Sequence, residues 1–156
     1  MVIRLADWQF SVDPDATAAY TLKCSSDHCM CAYCRNFYEN VDAAHPGLRP
    51  FLERFGAVIE GPCEVMPLEP DLVAACYRIT GQIIHAGSAR MHVDGVPVRP
   101  EMSQNGTFLL WIGEMSLPWT QQECMDDVIS PANEPDFLER MSRKILQWYG
   151  NDGILS

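Results

Sequence analysis

The clearest fold signal in this chain is the stretch Leu72-Val-Ala-Ala-Cys-Tyr-Arg-Ile-Thr-Gly-Gln-Ile83, in which apolar residues recur at every second position. Such alternation is typical of a β-strand, because successive side chains point to opposite faces. Cys76 falls on one face. The other face carries most of the large apolar side chains, with Gly81 as a bend: Val73, Ala75, Tyr77, Ile79 and Ile83. The stretch therefore predicts a long strand with one face in the core.

Further strands are predicted towards the C-terminus. Met91–Val93 and Val96–Val98 flank Asp94-Gly95, a pair of residues that favours a two-residue hairpin with a type I′ turn. Pro97 predicts that the second strand of this hairpin lies at a sheet edge, because proline cannot donate a ladder hydrogen bond. Phe108–Met115 is apolar on both faces, which is typical of a central strand.

Towards the N-terminus the pattern predicts two more strands. Val2–Val12 changes its apolar phase near Ala6, which indicates a single strand with a bulge. After a turn at Asp13-Pro14-Asp15, apolar residues alternate over Thr17–Cys24, and we expect a half-buried strand there. The acidic segment from Glu60 onward is interrupted by three prolines and predicts a solvated loop.

Helical spacing appears in three places. The apolar residues of Cys31–Ala43 predict a helix that ends before Pro46-Gly47. A short helix is expected from Pro50 to Phe55, with Gly56 as its stop. The segment 133–150 carries a broad apolar stripe and predicts a long C-terminal helix. The predicted fold class is α+β: an antiparallel sheet of five or six strands, two short helices inserted after the second strand, and one long C-terminal helix.

Length and composition indicate one globular domain over 1–156. Apolar residues make up 47% of the 156 residues and charged residues 21%, close to globular averages. The formal charge of −10 comes without a basic patch, so neither nucleic acid nor an anionic membrane is expected as a partner. No apolar run reaches the length that spans a bilayer.

Four of the seven cysteines fall within eleven residues, and this cluster is the main candidate site. The chain begins without an apolar export signal, so an odd number of cysteines predicts reduced thiols in a cytoplasmic protein. Thiolate and imidazole are the ligands that zinc prefers in structural sites. The predicted zinc ligands are Cys24, His28, Cys29, Cys31 and Cys34.

Two alternatives to a metal site remain open. Cys31 and Cys34 lie three residues apart at a helix start, where unpaired N–H groups favour thiolate, so they could form a dithiol redox pair with Cys31 as the attacking sulfur. Free cysteine is also among the most buried residue types, so the cluster could simply be structural. Cys63, Cys76 and Cys124 are isolated in sequence and are expected to fill core or surface positions.

Other signals bear on enzymatic activity and on partners. The chain contains no phosphate-binding loop, dinucleotide fingerprint or serine elbow, which argues against an enzyme without excluding one. Trp119 follows Leu117-Pro118 in a proline-fixed turn, and an exposed tryptophan there would anchor a protein partner.

The segment Cys29-Met-Cys-Ala-Tyr-Cys-Arg-Asn-Phe-Tyr38 resembles a family of small uncharacterised bacterial and phage-associated proteins with the pattern C-x-C-x-Y-C, then Arg or Gln, Asn and an aromatic residue. The resemblance covers roughly residues 1 to 122. It implies a family-like body of 1–122, with the helix over 133–150 as a C-terminal extension. The family has no established activity, so the resemblance implies only that the cysteines act together with Arg35 and Asn36. These two side chains could hydrogen-bond thiolates, loop carbonyls or an acidic ligand.

The sequence favours an accessory or protein-interaction module with a structural cysteine cluster. A zinc-binding domain and a thiol-dependent redox protein are the alternatives. The sequence predicts neither the partner nor the oligomeric state.

Overall fold

A computed structural model describes residues 1–69 and 72–122. They form a seven-stranded antiparallel sheet and three helices. The strands are β1 (Val2–Leu5), β2 (Trp8–Val12), β3 (Glu64–Glu69), β4 (Leu72–His85), β5 (Met91–Val93), β6 (Val96–Met102) and β7 (Thr107–Ser116). The helices are α1 (Pro14–Ser26), α2 (Ala32–Ala44) and α3 (Leu48–Arg54). The helix expected over 133–150 lies outside the described residues, as does Cys124.

The long strand β4 organises the sheet. The strand order is β1-β2-β4-β7-β6-β5, and β3 pairs with β4 beside this path. Along one edge of β4, β3 pairs with residues 72–76 and β2 with residues 81–85, while β7 runs along the opposite edge. The strand predicted from the alternating stretch is therefore central to the sheet.

The two faces of the sheet differ in what they bury. The main core joins one face to α2 and α3 through a set of fully buried side chains: Phe10, Phe37, Leu48, Leu52, Phe55, Tyr77, Ile79, Phe108 and Leu110. The other face carries a smaller buried cluster of Met66, Ala74, Cys76 and Trp111. The prediction that Cys76 and Tyr77 occupy opposite faces is confirmed.

The strand expected over Thr17–Cys24 is wrong, because these residues belong to α1. Asp13 caps this helix by accepting a hydrogen bond from the Ala16 N–H at 3.0 Å, and Pro14 occupies the first turn. Thr17 and Thr21 are buried, and their hydroxyls accept hydrogen bonds from the backbone N–H groups of Thr80 and Val58. The polar threonines therefore face inward, which is the reverse of the predicted pattern.

The strand count also differs from the prediction of five or six. Val2–Val12 forms the hairpin of β1 and β2 rather than one bulged strand, because Ala6 adopts φ 51° and turns the chain. The segment expected to be an acidic loop contains β3. Pro67 is tolerated in β3 because this strand pairs with β4 alone.

Other local predictions fare better. The helix predicted over Cys31–Ala43 is α2, and Asp94-Gly95 forms the expected hairpin turn with positive φ at both residues. The edge position predicted for β6 is wrong, since β6 lies between β5 and β7; its pairing with β7 begins only at Val98, beyond Pro97. None of the helices in the described part of the chain is long and apolar enough to cross a membrane.

Candidate metal centre

The cysteine cluster lies at the junction between α1 and α2. Helix α1 ends where the Asp27 N–H donates to the Lys23 carbonyl at 3.1 Å, and α2 begins with Cys31 as its N-cap. Cys31 takes the extended backbone conformation that an N-cap requires, and its sulfur accepts a hydrogen bond from the Cys34 N–H at 3.4 Å. A thiol therefore occupies the position where serine or aspartate is usual.

Three sulfur atoms converge at this junction. The Sγ atoms of Cys29, Cys31 and Cys34 all lie within 4.8 Å of one another. Tetrahedral zinc with Zn–S bonds of about 2.3 Å places its sulfur ligands about 3.8 Å apart, so only a small contraction would close the group on an ion. Cys29 and Cys31 are exposed and Cys34 is half-buried. The three cysteines could hold a metal ion that enters from solvent.

The local electrostatics separate the thiols. The Cys31 N–H donates to the Cys29 sulfur at 3.4 Å, and this hydrogen bond is the main reason that the pKa of Cys29 is lowered. Burial, followed by the neighbouring sulfurs of Cys31 and Cys29, raises the pKa of Cys34. A cation among the sulfurs would relieve the repulsion between thiolates that disfavours ionised Cys34.

Two tyrosine side chains of α2, Tyr33 and Tyr38, lie near the sulfurs. The Tyr33 hydroxyl donates to the Leu72 carbonyl at 3.3 Å, and the Tyr38 ring stacks on the His28 imidazole with centroids 4.1 Å apart. Burial is the first cause of a raised pKa at both tyrosines, and the sulfurs of the cluster are the second. Two partly buried tyrosines whose pKa values are raised therefore lie beside the thiols.

Two of the five predicted ligands stand outside the sulfur group. Cys24 lies on α1, where its side chain hydrogen-bonds Tyr20. The His28 Nε2 lies 3.1 Å from the Met30 sulfur, and its buried Nδ1 has no hydrogen-bond partner among the described residues. The sequence pattern thus grouped Cys24 with the cluster on the basis of spacing alone.

Arg35 connects the cluster to the chain that follows β7. Its guanidinium donates to the Met30 carbonyl at 2.6 Å and to Gln121 Oε1 at 3.3 Å. Arg35 therefore links the backbone between Cys29 and Cys31 to the side chain of Gln121. Met30 and Gln121 were not predicted, and nothing in the sequence signals a contact between side chains 86 positions apart.

Asn36 fixes the same segment by a second route. Its Nδ2 donates to the Pro118 carbonyl at 3.0 Å, and its Oδ1 accepts from the Thr120 N–H at 2.8 Å. Trp119 between them is half-buried, with its ring centroid 6.3 Å from that of Tyr33. The role predicted for Trp119 as a partner anchor stays a prediction.

No protein-family model, curated protein or solved structure matches this chain. The resemblance carried by Cys29–Tyr38 therefore stays a prediction, and the chemistry of the cluster rests on its own residues.

Proposed function

We propose that the protein is a non-enzymatic accessory module that binds one zinc ion through Cys29, Cys31 and Cys34. The observation that carries this proposal is the convergence of three sulfur atoms within 4.8 Å. Thiolates are soft ligands that favour zinc over hard cations. The fourth coordination position falls to His28 or to a water molecule.

The proposed role of the ion is structural. It would tie the residues before α2 to the first turn of that helix, at the point where Arg35 links the cluster to Gln121. Reduced thiols at this density fit a reducing compartment, and we extend the proposal to the cytoplasm on that ground.

A dithiol redox pair of Cys31 and Cys34 is the second candidate. The position of Cys31 at the N-terminus of α2, hydrogen-bonded by the Cys34 N–H, favours it. The third sulfur favours the metal site, because a dithiol exchange between Cys31 and Cys34 gives Cys29 no role. The lowered pKa of Cys29 favours its thiolate, which is the form that binds a metal.

Elemental analysis of the untagged protein, purified with a reductant and dialysed, tests the zinc proposal. We expect one zinc per chain in the wild type, and loss of most of that zinc in the Cys29→Ser and Cys34→Ser variants. Cys24→Ser and Cys63→Ser are matched controls that remove a thiol outside the sulfur group and should keep the metal. Wild-type protein that takes up no zinc, or equal loss in the Cys24→Ser variant, would contradict the proposal.

The metal-free protein separates zinc binding from redox chemistry. With iodoacetamide near neutral pH, Cys29 should be alkylated before Cys34, because the pKa of Cys29 is lowered and that of Cys34 is raised. Zinc should protect both, and cobalt in its place should give a thiolate charge-transfer band that weakens in each ligand variant. A Cys31–Cys34 disulfide that forms readily while zinc fails to bind would establish the redox function instead.

A further inference from the structure

A second pair of thiols lies where β3 begins to pair with β4. The Cys63 N–H donates to the Cys76 carbonyl at 2.7 Å, and the next residue, Glu64, is the register partner of Cys76. The backbones of Cys63 and Cys76 therefore lie next to each other across the two chain segments, and a hydrogen bond joins their side chains. Cys63 directly precedes β3 and Cys76 lies in β4, and neither segment contributes a residue to the Cys29, Cys31 and Cys34 cluster.

The two thiols differ in access to solvent. Cys63 is exposed, whereas Cys76 is only 1% exposed and packs with Met66 and Trp111 on the second face of the sheet. A reagent from solvent would reach Cys63 first. Because Cys76 is shielded from solvent, we expect it to react with an oxidised form of Cys63 rather than with a reagent from solvent.

Charged and titratable groups around Cys63 favour its thiolate. The hydrogen bond from Cys76 is the main reason that its pKa is lowered, and the positive charge of Arg78 adds to this effect. Partial burial of the Cys63 side chain and the negative charge of Glu64 raise the same pKa. Tyr20 and Cys24 of α1 lie in the same region. Arg78 is held in place by hydrogen bonds to Ser103 Oγ at 3.2 Å and Thr107 Oγ1 at 3.0 Å.

We propose that Cys63 and Cys76 form a thiol pair that hydroperoxides oxidise, with Cys63 as the attacking and Cys76 as the resolving sulfur. In the first step the Cys63 thiolate attacks a peroxide oxygen and the O–O bond breaks. Cys63 becomes a sulfenic acid, and the leaving hydroxide or alkoxide takes a proton to give water or an alcohol. In the second step the Cys76 sulfur attacks Cys63, the S–O bond breaks, and the hydroxide leaves with the Cys76 proton as water. Two thiols thus lose two electrons to one peroxide, and the disulfide joins the start of β3 to β4.

The tryptic peptides of this chain make the proposal directly testable. Cys63 and Cys76 fall in the peptide 55–78, while Cys24 and the cluster cysteines fall in the peptide 24–35. The zinc-loaded full-length protein is treated with a limiting amount of hydrogen peroxide, quenched with N-ethylmaleimide and digested. We expect peptide 55–78 to lose two hydrogens and to take up no maleimide. Further cleavage after Glu64 should give two fragments that stay joined until dithiothreitol is added.

Single variants decide which sulfur does what. Cys63→Ser should abolish the disulfide and leave Cys76 unoxidised, whereas Cys76→Ser should leave Cys63 as a sulfenic acid that dimedone traps. Cys24→Ser, which removes the nearby thiol of α1, should form the disulfide as the wild type does. Peptide 55–78 that stays fully alkylated, or a disulfide from Cys63 to Cys24, would overturn the proposal without bearing on zinc at the other cluster.

Discussion

The side-chain amide of Asn36, on α2, hydrogen-bonds the segment of chain that follows β7. Asn36 is 6% exposed, and both its donor and its acceptor are used, by the Pro118 carbonyl and the Thr120 N–H. Substitution Asn36→Ala removes the hydrogen bonds to the Pro118 carbonyl and the Thr120 N–H, both partly buried. At about 0.5–1.5 kcal/mol for each hydrogen bond, we expect it to lower the free energy of unfolding by about 1–3 kcal/mol. Urea denaturation followed by circular dichroism measures the change.

Asn40→Ala is the matched control for that experiment. Asn40 lies one turn further along α2 and also hydrogen-bonds towards Thr120, but its side chain is only half-buried. Its loss should therefore destabilise the protein less than the loss of Asn36. Equal effects in the two variants would show that Asn36 does not anchor this segment.

At the residue scale the sequence predicts what is local and misses what is distant. Cys29, Cys31 and Cys34 could be grouped correctly because a helix start brings residues at these spacings together. The partners of Asn36 lie 82 and 84 positions away, and no spacing rule reaches that far. Cys24 lies outside this group of three sulfurs, and its position depends on α1 being a helix.

Among the elements, α3 shows how a glycine ends a helix where space is also limited. Gly56 adopts φ +82°, its N–H donates to Glu53, and a Cβ there would lie 2.2 Å from the Pro14 carbonyl oxygen. Gly106 adopts a similar φ of +70° with nothing within 4 Å of its Cβ position. We expect Gly106→Ala to destabilise the protein by about 1 kcal/mol through backbone strain, and Gly56→Ala by about 1–3 kcal/mol more through the contact.

Thermal or urea unfolding of the two glycine variants side by side measures that difference. Because both positions carry the left-handed strain, the difference between them isolates the contact between α3 and the start of α1. If Gly106→Ala proved as destabilising as Gly56→Ala, the close approach to Pro14 would have no energetic weight.

The misread element is α1, although its start signals are present in the sequence. Asp13, Pro14 and Asp15 are an N-cap, a first-turn proline and a first-turn acid, a combination that begins helices as readily as it makes turns. The apolar alternation over Thr17–Cys24 nevertheless predicts a strand. The predicted strand is wrong because Thr17 and Thr21, four residues apart on one face of α1, are buried. Their hydroxyls accept hydrogen bonds from the backbone N–H groups of Thr80 and Val58. Polar residues that face inward to satisfy backbone N–H groups cannot be recognised from hydrophobicity.

For the whole molecule, the sequence predicts the α+β class and the central position of β7, but the number of strands is wrong. β3 is read as a loop because prolines and acids are rare in strands, and only its pairing with a single neighbour makes Pro67 acceptable. Strand order depends on contacts between distant segments, which local patterns do not encode. The group of three sulfurs is separate from the two buried clusters: Cys29, Cys31 and Cys34 lie at the junction of α1 and α2 and belong to neither.

This separation leads to a prediction about how zinc affects folding. All three proposed ligands lie within residues 29–34, whereas the main core joins α2 and α3 to the sheet. Removal of zinc should therefore leave the sheet folded, unlike a small zinc finger, which unfolds without its metal. With free zinc at about a hundredfold above its Kd, the ion should add about 2.7 kcal/mol to the free energy of unfolding.

Hydrogen exchange with and without a chelator measures this effect residue by residue. We expect chelation to speed exchange most in the junction around Cys29–Cys34 and in the segment that Arg35 and Asn36 hold. The amides of β4 and β7 should stay protected, losing no more protection than the binding free energy of about 2.7 kcal/mol accounts for. The Cys29→Ser variant should resemble the chelated protein whether or not zinc is added. Complete loss of protection throughout β4 on chelation would mean that the ion supports the whole fold rather than the helix junction.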